Sequence, residues 1–236
     1  MDLKSAKVLV TGGSKGIGKQ IALQLRRAGA SVMIAARDES PLKTAAAEIG
    51  VEHVVADVGE EADVERMVQT AIKRLDGLNV VVNNAAYGYF APLHEIDTED
   101  FEALFRTNVI GAMMVGRECA RHFISQGFGN IINISSTAGR AGFAEGSAYA
   151  GSKFAMRGMT ECWRAELRKH NIRVMLVNPS EVQTDFAGRP GRERGKLNPT
   201  KLVASDIAAA VTSILSLDDH AFVPEVTVWA TNPQNQ

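Results

Sequence analysis

The 236-residue chain has two cysteines, seven prolines and an aromatic content of only 6%. Cys119 and Cys162 are too few and too far apart for a disulfide framework, and neither has the second Cys or nearby His of a metal knuckle. A reducing compartment and a metal-free site are expected. Long apolar runs are also missing, since none approaches the roughly 18 residues of a transmembrane span. The stretch from Met1 to Lys7 has no basic region followed by an apolar one. The expectation is a soluble cytoplasmic protein with no membrane partner. Charge of one sign is absent too: 26 basic residues face 27 acidic ones, for a net charge of -1. That balance gives no field to draw duplex nucleic acid, which is excluded as a partner. Asn133-Ile134-Ser135 matches a glycosylation acceptor, but it lies inside an apolar strand-like run and reads as chance.

What is present is a 45% hydrophobic composition with 21 glycines. Short β-branched runs recur at Val8–Val10, Ser31–Ala35, Val54–Ala56, Val80–Val82, Ile131–Ile134 and Val174–Val177, each reading as a strand buried on both faces. Helical periodicity lies between them. Ile17, Ile21 and Leu25 repeat at four; Val64, Met67, Val68, Ala71, Ile72 and Leu75 form a second stripe; Phe101, Leu104, Phe105 and Val109 continue toward Phe123 as one helix. Ser40 and Pro41 suit a capped helix start, and Gly29 and Gly77 suit helix ends. A last helix over Leu202–Leu217 and a strand over Val223–Trp229 complete the pattern.

Such alternation predicts an α/β fold: a single doubly wound, Rossmann-type domain over 1–236, with a mostly parallel seven-stranded sheet flanked by helices. Its ligand site belongs beyond the carboxyl ends of the strands. Residues 188–202, rich in Gly, Pro and charge, break the pattern and read as a mobile excursion over the substrate. Within it Arg189, Arg192, Arg194 and Lys196 are either a lid for an anionic substrate or a solvated basic loop.

Thr11-Gly12-Gly13-Ser14-Lys15-Gly16-Ile17-Gly18 follows the first strand and opens into a helix. Glycines there permit a tight turn and close approach of a pyrophosphate to the helix N-terminus, making Gly12, Ser14, Lys15, Gly16, Ile17 and Gly18 candidate cofactor contacts. A plain glycine-rich turn would look the same. Gly12-x-Ser14-x-Gly16 also matches the nucleophile elbow of α/β-hydrolases, but that elbow needs a downstream acid and His, and no His recommends itself.

Tyr149 and Lys153, four apart, share a helix face. An ammonium near the phenol is expected to lower its pKa toward the working range of an acid-base catalyst. Together with the glycine loop, Asp57-Val58, Asn83-Asn84-Ala85, Asn108 and Ser136, these residues form an ordered series that resembles the short-chain dehydrogenase/reductase family over nearly the whole chain. The resemblance implies a catalytic tetrad of Asn108, Ser136, Tyr149 and Lys153; thirteen residues from Ser136 to Tyr149 is the family's usual step, and it selects Ser136 over Ser135. Cofactor contacts at Asp57, Val58, Asn84, Ala85, Tyr149, Lys153, Pro179 and Thr184 are implied likewise. So is a homodimer or homotetramer, paired through the helices at 101–123 and 149–168.

The implied reaction is hydride transfer between a nicotinamide and a ketone, aldehyde or secondary alcohol, with Tyr149 as acid or base and Ser136 holding the oxygen. Lys153 would tune Tyr149 and hold the ribose, and Asn108 would position a water that relays protons. Tyr87, Tyr89, Phe90, Pro92, Phe143 and Glu145 suggest a partly apolar substrate pocket, or simply loop packing. Ala86 and Ser180 stand where the family usually has Gly. The C-terminal stretch lacks the glycine-rich ending of the 3-oxoacyl-carrier-protein reductases, which weakens that assignment. An idle dinucleotide-binding sensor or scaffold is the rival class.

Cofactor choice can be read from the second strand. An NAD site places a carboxylate at its end, about 20 residues past the glycine loop. Ala36 occupies that place, Arg37 follows, and Lys15 lies in the loop, so two cations can meet a 2′-phosphate. NADP(H) is the expected cofactor, with NAD(H) possible, and Asp38 is expected either to pair with Arg37 or to cap the next helix.

Overall fold

The computed structural model describes residues 1–184 and 198–231. Strands β1 (Lys7–Thr11), β2 (Ser31–Ala36), β3 (Glu52–Val55), β4 (Val80–Asn83), β5 (Gly129–Ile134) and β6 (Ile172–Pro179) come first, followed by the short β7 (Val182–Gln183) and β8 (Leu202–Val203), and then β9 (Glu225–Val228). Seven of them form one sheet in the order β3-β2-β1-β4-β5-β6-β9. Every neighbouring pair in it is parallel.

Helices α1 (Gly16–Arg27), α2 (Glu39–Ile49), α3 (Glu61–Arg74), α4 (Thr98–Phe105), α5 (Ala112–Gln126), α6 (Ser147–Leu167) and α7 (Ala204–Leu215) cover the two faces. The period of two along β1 decides which face each residue serves. Val8 and Val10 pack with Ile21 and Leu25 of α1 and Ile207 and Val211 of α7. Leu9, between them, packs with Met67 of α3 and Val115 and Phe123 of α5. All eight residues of β6 are buried, as a strand covered on both sides must be.

Three local expectations need correction. The helix expected to run unbroken from Phe101 toward Phe123 is interrupted by a π segment over Arg106–Gly111, which separates α4 from α5. A π turn adds a residue to the helix and re-aims the side chains on it, here Asn108. Helix α2 begins at Glu39, not at Pro41 behind a Ser40 cap. Proline is tolerated within the first turn because its missing N–H has no helical partner there. Finally, the excursion expected over 188–202 does not include Leu202. Leu202 is buried in the core beside α7, and β8 pairs with β7, so the chain around 183 and around 203 lies side by side. Arg189, Arg192, Arg194 and Lys196 lie outside the described residues.

Asn133, the glycosylation look-alike, is fully buried and donates to the Thr160 hydroxyl at 2.8 Å. Among the described residues no helix is long and apolar enough to cross a membrane.

Candidate active site

The loop after β1 is braced from below. Thr11 Oγ1 accepts from the backbone N–H groups of Asn84 and Ala85, both at 3.1 Å, and Asn84 Nδ2 donates to the carbonyls of Thr11 and Gly12 at 2.9 and 3.1 Å. The β1 and β4 loops are thereby locked together where the strand order reverses direction. Gly18 lets α1 sit directly on this brace, since a Cβ there would lie 2.4 Å from the Gly12 carbonyl oxygen. No side chain caps the start of α1. Its first N–H groups and their partial positive charge therefore lie at the loop, ready for an anion.

The strand ends open onto a cavity of about 550 Å³. Gly12, Ser14, Lys15, Gly16, Ile17, Asn84 and Ala85 line it from β1 and β4; Ser136, Tyr149 and Lys153 line it from β5 and α6; Pro179 and Thr184 line it after β6. Thr184 lies 3.6 Å from where a Cβ on Gly16 would be, so the segment after β6 reaches back to the glycine loop. Gly18, Arg37, Asp57, Val58 and Asn108 are not among the lining residues.

Ser136 sits at the end of β5, where its Oγ accepts from Ala138 N at 3.1 Å and also hydrogen-bonds the Tyr149 phenol. Ser135 instead turns inward and donates to the Lys153 carbonyl at 3.2 Å, a structural task that separates the two neighbours. Lys153 is almost fully buried; its Nζ donates to the Ile134 carbonyl at 3.0 Å and lies 5.7 Å from the Tyr149 ring centroid. Burial pushes the Lys153 pKa down to about 8. Burial also raises the Tyr149 pKa, and the Ser136 hydrogen bond only partly offsets this. The balance at Tyr149 therefore runs upward, against the expected lowering, because desolvation of the phenolate is the larger effect.

Asn108 lies beneath this trio. Its Oδ1 accepts from Tyr87 N at 3.1 Å, and its Nδ2 donates to the Tyr87 carbonyl at 2.9 Å and to Ser152 Oγ at 3.2 Å. Both amide hydrogens are used, so the side chain clamps the buried segment to its neighbours.

At the far end of the sheet Arg37 pairs with Asp57 at 3.7 Å, not with Asp38, and Asp38 makes no side-chain cap on α2. Adjacent parallel strands bring the ends of β2 and β3 together, whereas Asp38 stands at the N-cap of α2. Asp57 Oδ1 accepts from Gly59 N at 2.8 Å, and Val58 is buried in the core.

Of the six residues suggested for the substrate pocket, Phe90 and Phe143 line the cavity. Tyr87 is held on Asn108, and the Tyr89 hydroxyl accepts from Asp97 N at 2.9 Å. Pro92 and Glu145 are likewise outside the lining. Ala86 and Ser180 keep negative φ, so the absence of Gly costs no strain at either place. Trp229 lines the cavity and was missed, because only the position of β9 beside β6 brings it there.

Residues 6–194 match the family model described as short chain dehydrogenase. The chain belongs to the short-chain dehydrogenase family. An uncharacterized oxidoreductase of Bacillus subtilis is 34% identical over 88% of the chain, and the chain spans 63% of that relative's length. The sepiapterin reductase of Chlorobaculum tepidum is 30% identical over 95% of the chain and 96% of its own. Among solved structures, an alcohol dehydrogenase from Thermococcus sibiricus complexed with 5-hydroxy-NADP superposes with a TM-score of 0.87 at 28% identity, covering 98% of the chain and all of that structure. This short-chain dehydrogenase is accordingly an oxidoreductase, and its parallel seven-stranded sheet is the family's Rossmann-type frame.

Proposed function

We propose that this short-chain dehydrogenase transfers hydride between NADP(H) and a ketone or aldehyde, or the corresponding secondary alcohol. The observation that carries the reading is that one cavity joins the glycine loop to Ser136, Tyr149 and Lys153. The residues fit a dinucleotide. The uncapped start of α1 and the positive φ of Gly12 and Gly16 form a backbone cradle suited to a pyrophosphate. The NADP-derivative complex of the structural neighbour supports the same choice.

Bound nicotinamide supplies or accepts the hydride; the remaining tasks fall to the chain. Burial keeps the proton on the Tyr149 phenol at neutral pH, which is the state needed to protonate a developing alkoxide. Ser136 Oγ, already in contact with that phenol, donates to the same oxygen as its charge grows. For alcohol oxidation Tyr149 must act as base, and the Lys153 ammonium favours its phenolate. With a pKa of about 8, Lys153 is still mainly charged at neutral pH. It also lines the cavity where a ribose hydroxyl would lie.

Arg37 and Lys15 would hold the 2′-phosphate, with Ala36 presenting no carboxylate against it. The Arg37–Asp57 pair is exposed and long, so it opposes that contact weakly. Asp57, Val58, Asn84, Ala85, Pro179 and Thr184 complete the proposed cofactor site. An idle dinucleotide sensor needs neither the Ser136–Tyr149 hydrogen bond nor a buried lysine beside it. The hydrolase elbow at Ser14 finds no histidine among the described lining residues.

The test is loss of NADPH absorbance with a panel of ketones, aldehydes, quinones and 3-oxoacyl thioesters. Turnover with at least one carbonyl class is expected. Tight NADPH binding with no turnover across the panel would favour the sensor.

A further inference from the structure

Two large side chains at the cavity are left open to solvent: Phe143 is 43% exposed and Trp229 64% exposed. Phe90 sits behind Phe143 with ring centroids 6.1 Å apart, and its other neighbour is the Tyr149 ring, at 5.5 Å. An aromatic surface thus begins at the proposed proton donor and continues outward to the mouth.

The turn that carries Phe143 is built to hold that ring in place. Glu145 adopts a φ of 64°, a left-handed conformation that is unfavourable for a residue with a side chain. Gly146 follows it, and a Cβ there would lie 2.7 Å from the Phe143 ring. Gly146 N donates to the Phe143 carbonyl at 3.1 Å, and Ala91 N donates to the Glu145 carbonyl at 3.0 Å, tying the loops of Phe90 and Phe143 together. Backbone strain and a close ring contact are retained here to present a half-exposed aromatic.

Trp229 enters from the opposite direction. Val228 pairs with Pro179, and Ser180 N donates to the Val228 carbonyl at 2.9 Å, so the end of β9 is fixed against the segment after β6. Four strand steps separate β1 from β9 in the sheet. At roughly 4.8 Å per step, Trp229 stands about 19 Å from the glycine-loop strand, beyond Ser136 and Pro179.

Charged groups also border the cavity. Its charged lining residues among those described are Lys15 in the glycine loop, Lys153 beside Tyr149, and Glu181, which pairs with Lys201 at 3.2 Å. Arg140, next to this wall, donates to Thr227 Oγ1 at 3.0 Å and lies 4.0 Å from Glu225. Arg140 is thus a cation beside the aromatic end, already engaged by Thr227 and Glu225.

We propose that Phe90, Phe143 and Trp229 select carbonyl substrates that carry an aryl group beside the reacting carbon. Stacking and tilted ring contacts hold the aryl group while its carbonyl oxygen meets Ser136 and Tyr149. The proposal rests on the oxidoreductase reading above, and the experiment separates the two. With NADPH, kcat/KM is measured for 1-phenyl-1,2-propanedione and for 2,3-butanedione, alongside NADPH binding by fluorescence.

Phenylpropanedione should exceed butanedione by at least about tenfold, from burial of the ring. Trp229→Ala, at an exposed position, and Phe143→Ala should each lower the ratio of phenylpropanedione to butanedione by about fivefold or more. A wild type that reduces butanedione as well as phenylpropanedione overturns the aryl selection and leaves the oxidoreductase reading intact. A ratio unchanged in both variants does the same, as does NADPH binding without reduction of either diketone. Failure to bind NADPH as well would overturn both.

Discussion

Asn108 donates through Nδ2 to Ser152 Oγ at 3.2 Å, and the Ser152 hydroxyl in turn donates to the Tyr149 carbonyl at 2.7 Å. The π segment between α4 and α5 is therefore tied to the first turn of α6, the helix that carries Tyr149 and Lys153. Asn108→Leu would strand the half-buried Tyr87 N–H and carbonyl together with Ser152. A loss of about 2 to 4 kcal/mol in urea unfolding is expected, against about 1 kcal/mol for Ser152→Ala. A cost below about 0.5 kcal/mol for Asn108→Leu would show that water replaces the clamp.

Cofactor preference turns on Ala36 and Arg37. The wild type should favour NADPH over NADH in kcat/KM. Arg37→Ile should weaken NADPH by about 10- to 150-fold and NADH little, as expected for loss of one charge-assisted bond. Ala36→Asp combined with Arg37→Ile should reverse the preference. Equal kcat/KM for both cofactors in the wild type would leave Arg37 as nothing more than the surface partner of Asp57.

Lys153 makes stability depend on pH in a defined direction. Its folded pKa of about 8 lies below the 10.5 of the free side chain, so between these values the unfolded chain binds more protons. Holding the charged lysine in the folded state costs stability below about pH 8, and that cost is relieved as pH rises toward 10. Relative to Lys153→Met, wild-type stability in urea should rise by about 2 kcal/mol from pH 8 to pH 10. A flat difference would mean that the buried ammonium is as well solvated as in water.

The parts of the fold that were legible in the sequence are those in which local chemistry matches global burial. Val8–Val10 and Val174–Val177 read as strands because both faces are covered, and Ile21 and Leu25 read as a helix stripe because only one is. The ordered motifs led from the glycine loop to Ser136, Tyr149 and Lys153, which do share one cavity. What was not legible depends on partners distant in the chain. The apolar period runs through Phe105 and Val109 without a break, and only the hydrogen bonds of Asn108 to Tyr87 and Ser152 mark the π segment. Arg37 was expected to meet its neighbour Asp38, but the parallel pairing of β2 and β3 offers it Asp57. Trp229 followed a recognisable strand, yet strand order, which no local pattern records, is what places it at the cavity.

The central claim is that the Tyr149 phenol moves the proton. Tyr149→Phe keeps the ring against Phe90 and removes only the hydroxyl that meets Ser136. The direct measurement is the single-turnover rate of carbonyl reduction by the NADPH complex of this variant, beside its NADPH affinity. A fall of at least about 100-fold in rate, with affinity within about threefold of wild type, is the expected result. A variant that reduces the same carbonyl at close to the wild-type rate would contradict the account.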